Sequence, residues 1–160
     1  MICGLLEPAE GDIRWQRKNI RSLSEDYFSQ LTYLGHRNGV KDELTAIENL
    51  RCASGLSGIE LSHEAAMSAL RELGLEGREL LPARSLSEGQ RRRLALARLK
   101  VSQTALWVLD EILTSLDRAA TSLIQTILAT HITNGGIALV ATHQELDLSA
   151  GSSQRIQLSL

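Results

Sequence analysis

Leu106-Trp107-Val108-Leu109-Asp110-Glu111 is the stretch on which the fold turns. With Ala105 before it, the apolar run does not alternate, and it stops at two acids. An unbroken run of this length suits a strand buried on both faces of a parallel sheet. Ile137-Ala138-Leu139-Val140-Ala141 has the same character. Residues 119–130, between the two runs, read as a helix with Leu123, Ile124 and Ile127 turned inward. Strand, helix, strand is the crossover of a parallel sheet. The class is therefore α/β, with the two strands expected side by side.

Upstream, Tyr33-Leu34-Gly35-His36-Arg37-Asn38-Gly39 reads as a strand entering a loop. Residues 45–81 follow a helical pattern. Thr45 with Glu48 three residues later makes a capping box. Ser62 opens an amphipathic helix over residues 65–73, closed by Gly74. These pieces form a helical subdomain at about 45–85 within one domain spanning 1–160. Met1-Ile2-Cys3-Gly4-Leu5-Leu6 reads as the end of an apolar helix, and Glu7-Pro8-Ala9-Glu10-Gly11 as a turn. The chain is thus expected to begin in mid-domain. Residues 12–15 and 19–20 are candidates for short strands. There is no internal repeat and no low-complexity segment.

Composition narrows the function. The 160 residues suffice for one domain with a real core. A net charge of −2 and 3% aromatics do not suit a nucleic-acid binder. Cys3 and Cys52 stand alone, without zinc-ligand spacing or a disulfide framework. A reducing compartment suits them. No apolar run approaches the roughly 20 residues that span a bilayer. Any membrane link is expected through a partner.

Three motifs carry the chemistry. Asp110 and Glu111 end a core strand, where ligands of open α/β sheets bind. An aspartate there can hold Mg²⁺, and a neighbouring glutamate can polarise a water for attack on a phosphate. Two solvated acids opening a loop would look the same. Leu86-Ser87-Glu88-Gly89-Gln90 precedes a helix over residues 91–100. Its amides can bind an anion, or Ser87 can serve as an ordinary N-cap. Ala141-Thr142-His143 ends the second strand, and His143 can contact a phosphate or be a surface histidine.

The ordered set resembles the ATP-binding-cassette family across nearly the whole chain. The resemblance implies a P-loop NTPase-like parallel core that binds ATP and Mg²⁺. It makes Leu86 to Gln90 the signature motif, which binds the γ-phosphate held by an opposite subunit. It assigns Ser87, Gly89 and Gln90 to that nucleotide, Asp110 to the metal and Glu111 to the attacking water. Ser115-Leu116-Asp117 matches the D-loop and His143 the switch histidine. Ser87 is then expected on a different face from Asp110, Glu111 and His143.

Within the family, four segments are similar to the ATPase subunits of haem exporters in bacterial cytochrome c maturation. They are Cys3-Gly4-Leu5-Leu6-Glu7-Pro8, Tyr33-Leu34-Gly35-His36, Leu44-Thr45-Ala46-Ile47-Glu48-Asn49-Leu50 and the opening strand. His36 stands where other cassettes have the Q-loop glutamine. The resemblance implies integral membrane exporter subunits and a second ATPase subunit as partners, no nucleic acid, and a place on the cytoplasmic face of the inner membrane.

The departures are as definite. The Gly-rich Walker A loop with its Lys and Ser/Thr is expected before Met1, together with the strands that precede it. Ile112 replaces the usual Pro after the acids, and Glu88 replaces a small signature residue. A carboxylate near a triphosphate is unfavourable unless it points away. The Arg91-Arg92-Arg93 run reads as a solvated face that can offset it. A second reading is a non-hydrolysing interaction module that offers its signature face to an intact ATPase or its helices to a membrane subunit. A DNA-repair or chromosome ATPase ranks lower, because the interval from His36 to Ser87 leaves no room for a long coiled coil.

Overall fold

The computed structural model describes residues 1–113, 116–143 and 151–156. Three parallel strands organise it: β3 (Leu31–Leu34), β4 (Leu106–Asp110) and β5 (Ile137–Ala141), in the order β3-β4-β5. Before them come a small antiparallel hairpin, β1 (Arg14–Trp15) and β2 (Lys18–Asn19), and two single-turn helices, α1 (Ile20–Leu23) and α2 (Glu25–Phe28). Helices α3 (Ala46–Leu56) and α4 (His63–Glu72) follow β3. Then α5 (Glu88–Val101) leads into β4, and α6 (Arg118–Thr133) crosses from β4 to β5.

The local signals explain most elements. Thr45 and Glu48 form the expected capping box at the start of α3. Ser62 caps α4, and Gly74 just beyond it takes a left-handed φ of +72°. The β1–β2 hairpin turns through Gln16 and Arg17, both at positive φ, the geometry of a two-residue turn that matches strand twist. Asn19, expected in a strand with Ile20, ends β2 and caps α1, so Ile20 is helical.

Two expectations need correction. Residues 1–6 are turns rather than a helix end: Gly4 N donates to Met1 O at 2.8 Å, and Gly4 has φ +71°. A bond spanning three residues closes a turn, not an α-helical ring. β5 is not buried on both faces, since Ile137 is 49% and Leu139 41% exposed. Ala138 and Val140, on the other face, pack against the main core. The hairpin and short helices bring Ile13, Trp15, Ile20 and Tyr27 against Leu106 and Val108, while the same face of β5 stays open.

The main core joins helices and sheet. Trp107 and Leu109 of β4 meet Leu94, Leu96 and Leu99 of α5 and Ile124, Ile127 and Leu128 of α6. α6 therefore turns Leu128 fully inward, while Leu123 is only partly buried. Trp107 also stacks on His131, with ring centroids 3.7 Å apart and planes 4° from parallel. The His131 ring nitrogen lies 3.3 Å from Ile137 O.

Two outcomes test this packing. Ile124→Ala should cost roughly 2–5 kcal/mol in urea denaturation, whereas Ile137→Thr on the open face should stay within about 0.5 kcal/mol. Burial holds the His131 imidazole below its ordinary 6.5, outweighing the carbonyls of Ile137 and Ala105, which favour the charged ring. The folded state then binds its proton less readily than the unfolded chain. The stability His131 contributes is present above about pH 6.5 and is lost as pH falls through the lower folded value. His131→Phe should flatten that acid-side loss in melts between pH 7.5 and 5.

Candidate nucleotide site at the carboxyl edge of the sheet

Parallel register sets the site. Leu34 pairs with Leu109, and Asp110 with Ala141, so the three strands end on one edge. Gly35 and His36 leave β3 there, Asp110 and Glu111 leave β4, and Thr142 and His143 leave β5. Glu111 N donates to Ala141 O at 2.9 Å, tying the acid loop to the end of β5. His143 Nε2 lies 3.6 Å from Glu111 Oε1, and the His143 side chain is 97% exposed. The structure thus brings Glu111 and His143 together.

Glu111 has φ +53°. A left-handed backbone at a non-glycine residue costs on the order of 1–3 kcal/mol and persists only where the surroundings hold it. Ile112, in the place of the family's proline, is fully buried in the core just beyond the strained residue. Asp110 is half-buried, and its carboxylate has no hydrogen bond or ion pair among the described residues. Asp110 also raises the Tyr33 hydroxyl above its ordinary value, after the larger effect of burial. A Cβ on residue 35 would collide with the Tyr33 hydroxyl, so Gly35 lets the chain turn out of β3 beside it.

The remaining sequence candidates are placed differently. His36 is exposed and makes no side-chain hydrogen bond among the described residues. Ser87 and Gln90 form a reciprocal capping box on α5: Gln90 N donates to Ser87 Oγ at 3.3 Å, and Ser87 N donates to Gln90 Oε1 at 2.9 Å. Gly89 lies in the first turn of the same helix. Asp117 caps α6 by accepting from Ala120 N at 2.8 Å, and Arg93 Nη2 donates to it at 2.6 Å. Ser115 lies outside the described residues. Glu88 accepts from Asn38 Nδ2 at 3.0 Å, which answers where the extra carboxylate points.

The arginine run is not the solvated face expected of it. Arg91 bonds Asp42, Arg93 bonds Asp117, and Arg92 is buried, at 5% exposure. Burial lowers the readiness of Arg92 to hold its proton, and the nearby charges of Glu88, Asp110 and Glu111 oppose that. Sequence reasoning missed this residue. Its signal was helical spacing, because Arg92 falls one turn before Leu96 and two before Leu99, all on the buried stripe of α5.

The donors present fit a divalent cation better than a triphosphate. Asp110 offers a carboxylate with no hydrogen bond or ion pair among the described residues, at a strand end where oxygen can hold a hard cation. Among the described residues no cluster of three or more metal-ligating side chains occurs. The sequence contains no Gly-rich loop ending in Lys-Ser or Lys-Thr to wrap phosphates. Lys100 pairs with Glu72 at the far end of α5.

The ABC transporter family profile matches residues 1–114. The chain is 55% identical over 159 residues to the "Cytochrome c biogenesis ATP-binding export protein CcmA" of Nitrosospira multiformis, covering 99% of this chain and 77% of that protein. This chain belongs to the ABC transporter family. The protein of the same name from Nitrosomonas europaea is 52% identical, over 99% of this chain and 75% of its own. Two solved structures share the fold. A putative ABC transporter ATP-binding protein from Pyrococcus furiosus superimposes with a TM-score of 0.78 at 20% identity, over 91% of this chain and 70% of that one. A dimeric ATP-binding cassette in a post-hydrolysis state, bound to ADP and phosphate, gives 0.73 at 22% identity, over 89% and 66%. Like the apolar pattern of the sequence, the described helices of this ABC chain include none long and apolar enough to cross a membrane.

The capping box at the start of α5 can be measured. Ser87→Ala should cost about 1 kcal/mol of stability in the absence of any nucleotide. A Ser87→Ala chain as stable as its parent would leave the hydroxyl with no part in shaping the turn.

Proposed function

We propose that the chain is the ATP-binding subunit of a cytochrome c biogenesis exporter, with haem as the cargo class implied by resemblance. The observation that supports this reading is the 55% identity across 99% of the chain to a protein named for that export. The subunit docks from the cytoplasmic face onto integral membrane partners and pairs with a second ATPase subunit.

In this reading, Asp110 is the residue to hold Mg²⁺, which would neutralise phosphate charge. Glu111 orients and polarises a water from the loop after β4. His143, 3.6 Å from the Glu111 carboxylate, and His36 sense the terminal phosphate. Ser87, Gly89 and Gln90 present the first turn of α5 to a nucleotide held by the other subunit, with Asp117 beside the subunit junction. The helices at 45–85 act as a subdomain that carries this turn.

The chain of 160 residues does not supply the phosphate cradle, so we assign it no hydrolysis by itself. Charge-assisted hydrogen bonds contribute on the order of 1.5–3 kcal/mol each, and about 1.4 kcal/mol is tenfold in affinity. Lacking several, the chain should hold nucleotide many powers of ten more weakly. A second reading is favoured by one observation: the signature turn is shaped by its own capping box. Such a turn needs no nucleotide to form, so the chain can serve as an interaction module for an intact subunit.

ATP with Mg²⁺ should barely move the melting temperature of the 160-residue chain. Joining it to the preceding segment of the Nitrosospira multiformis relative should restore binding and turnover. Glu111→Gln in that joined protein should abolish turnover and spare binding. Micromolar Mg·ATP binding with Glu111-dependent turnover by the short chain alone would overturn the assignment.

A further inference from the structure

We infer that Arg92 is a positioning residue: it holds the Glu111 loop in its left-handed conformation and, through Asn38, connects that loop to Glu88 in the signature turn. The inference deepens the proposed function, since it matters to catalysis only if Glu111 orients the attacking water. Its physical content is independent of nucleotide.

Four hydrogen bonds carry the argument. Arg92 Nη2 donates to Glu111 O, and Arg92 Nε donates to Ile112 O at 3.2 Å. Arg92 Nη1 donates to Gly35 O at 3.3 Å and to Asn38 Oδ1 at 2.9 Å. One planar cation thus spans two loops, the one after β3 and the one after β4. A guanidinium presents its donors in a rigid fork, so these acceptors are held at fixed relative positions. The acceptors include the carbonyls of both Glu111 and Ile112 in the strained loop, where Glu111 has φ +53°. Strain of this kind needs an outside restraint. The buried charge supplies it, because moving the loop would leave a desolvated cation short of acceptors.

The link outward is equally specific. Asn38 uses both ends of its amide: Oδ1 accepts from Arg92, and Nδ2 donates to Glu88 Oε1 at 3.0 Å. Glu88 lies on the surface at the first turn of α5, four residues before Arg92. A group seated on the signature turn that draws Glu88 away would loosen Asn38, and with it one of the four restraints on Arg92. The path from signature turn to water-orienting acid is therefore Glu88, Asn38, Arg92, Glu111.

The test uses the 160-residue chain without nucleotide and reads two signals. One is the backbone chemical shift of Glu111, which reports its left-handed φ. The other is amide exchange at Glu111, Ile112 and Leu113, compared with Leu106, Val108 and Leu109 in β4. Asn38→Ala should speed exchange in the loop on the order of tenfold, as expected for losing a hydrogen bond to a charged group, and leave β4 unchanged. Glu88→Ala should shift the Glu111 signal in the same direction, and Glu88→Gln, which keeps the acceptor oxygen, should restore it. A surface substitution with no reach to the loop would not do this. Arg92→Gln should move Glu111 furthest toward an extended φ; should that chain not fold, the Asn38 and Glu88 variants decide. Unchanged Glu111 shifts in both Asn38→Ala and Glu88→Ala, or equal loss of protection in β4, would overturn the inference. Failure of Glu111→Gln to affect turnover in the joined protein would instead sink the functional reading and leave this positioning intact.

Discussion

Parallel pairing on both edges of β4 is the constraint from which the rest follows. β4 alone in the three-stranded sheet has a strand on each side. Because both neighbours run in its direction, all three chains leave the sheet at the same end. Crossover connections are then obligatory, and α6 supplies the one between β4 and β5. The faces of β4 also divide the packing. Trp107 and Leu109 look toward α5 and α6, and Leu106 looks toward the hairpin and the short helices. One strand of five residues thereby organises the core and places Asp110 at its end.

Much of this was legible from residue order. The apolar runs at 105–109 and 137–141 gave adjacent parallel strands, and Thr45 with Glu48 gave the start of α3. What escaped depends on three-dimensional surroundings. The faces of β5 could not be separated in the sequence, because Ile137 and Leu139 are as apolar as the residues that pack. Residues 1–6 look helical by composition, but the close bond from Gly4 to Met1 bends them into turns. The unbroken run of charge hid Arg92, the buried member between two arginines that pair with aspartates.

The site shows the same division. The placement of Asp110, Glu111 and His143 at or just beyond the strand ends was readable because the stop of an apolar run marks a strand end in the sequence. The left-handed φ of Glu111 was not readable, since glutamate carries no preference for it. Nor was the capping box of Ser87 and Gln90 distinguished from an anion site, although serine followed three residues later by glutamine signals it.

The stack of Trp107 on His131 gives the chain an optical reporter of its own. The two tryptophans are Trp15 and Trp107. Among the described residues, Trp107 alone has an imidazole lying flat against its indole, with ring centroids 3.7 Å apart. A neutral imidazole lies against the indole as an uncharged ring, whereas its protonated form sets a positive charge against the indole's electron-rich face. Emission from Trp107 should therefore dim as His131 gains its proton, while emission from Trp15 does not follow it. The intensity of that light reads the protonation of His131 at the α6–β4 contact, without a label.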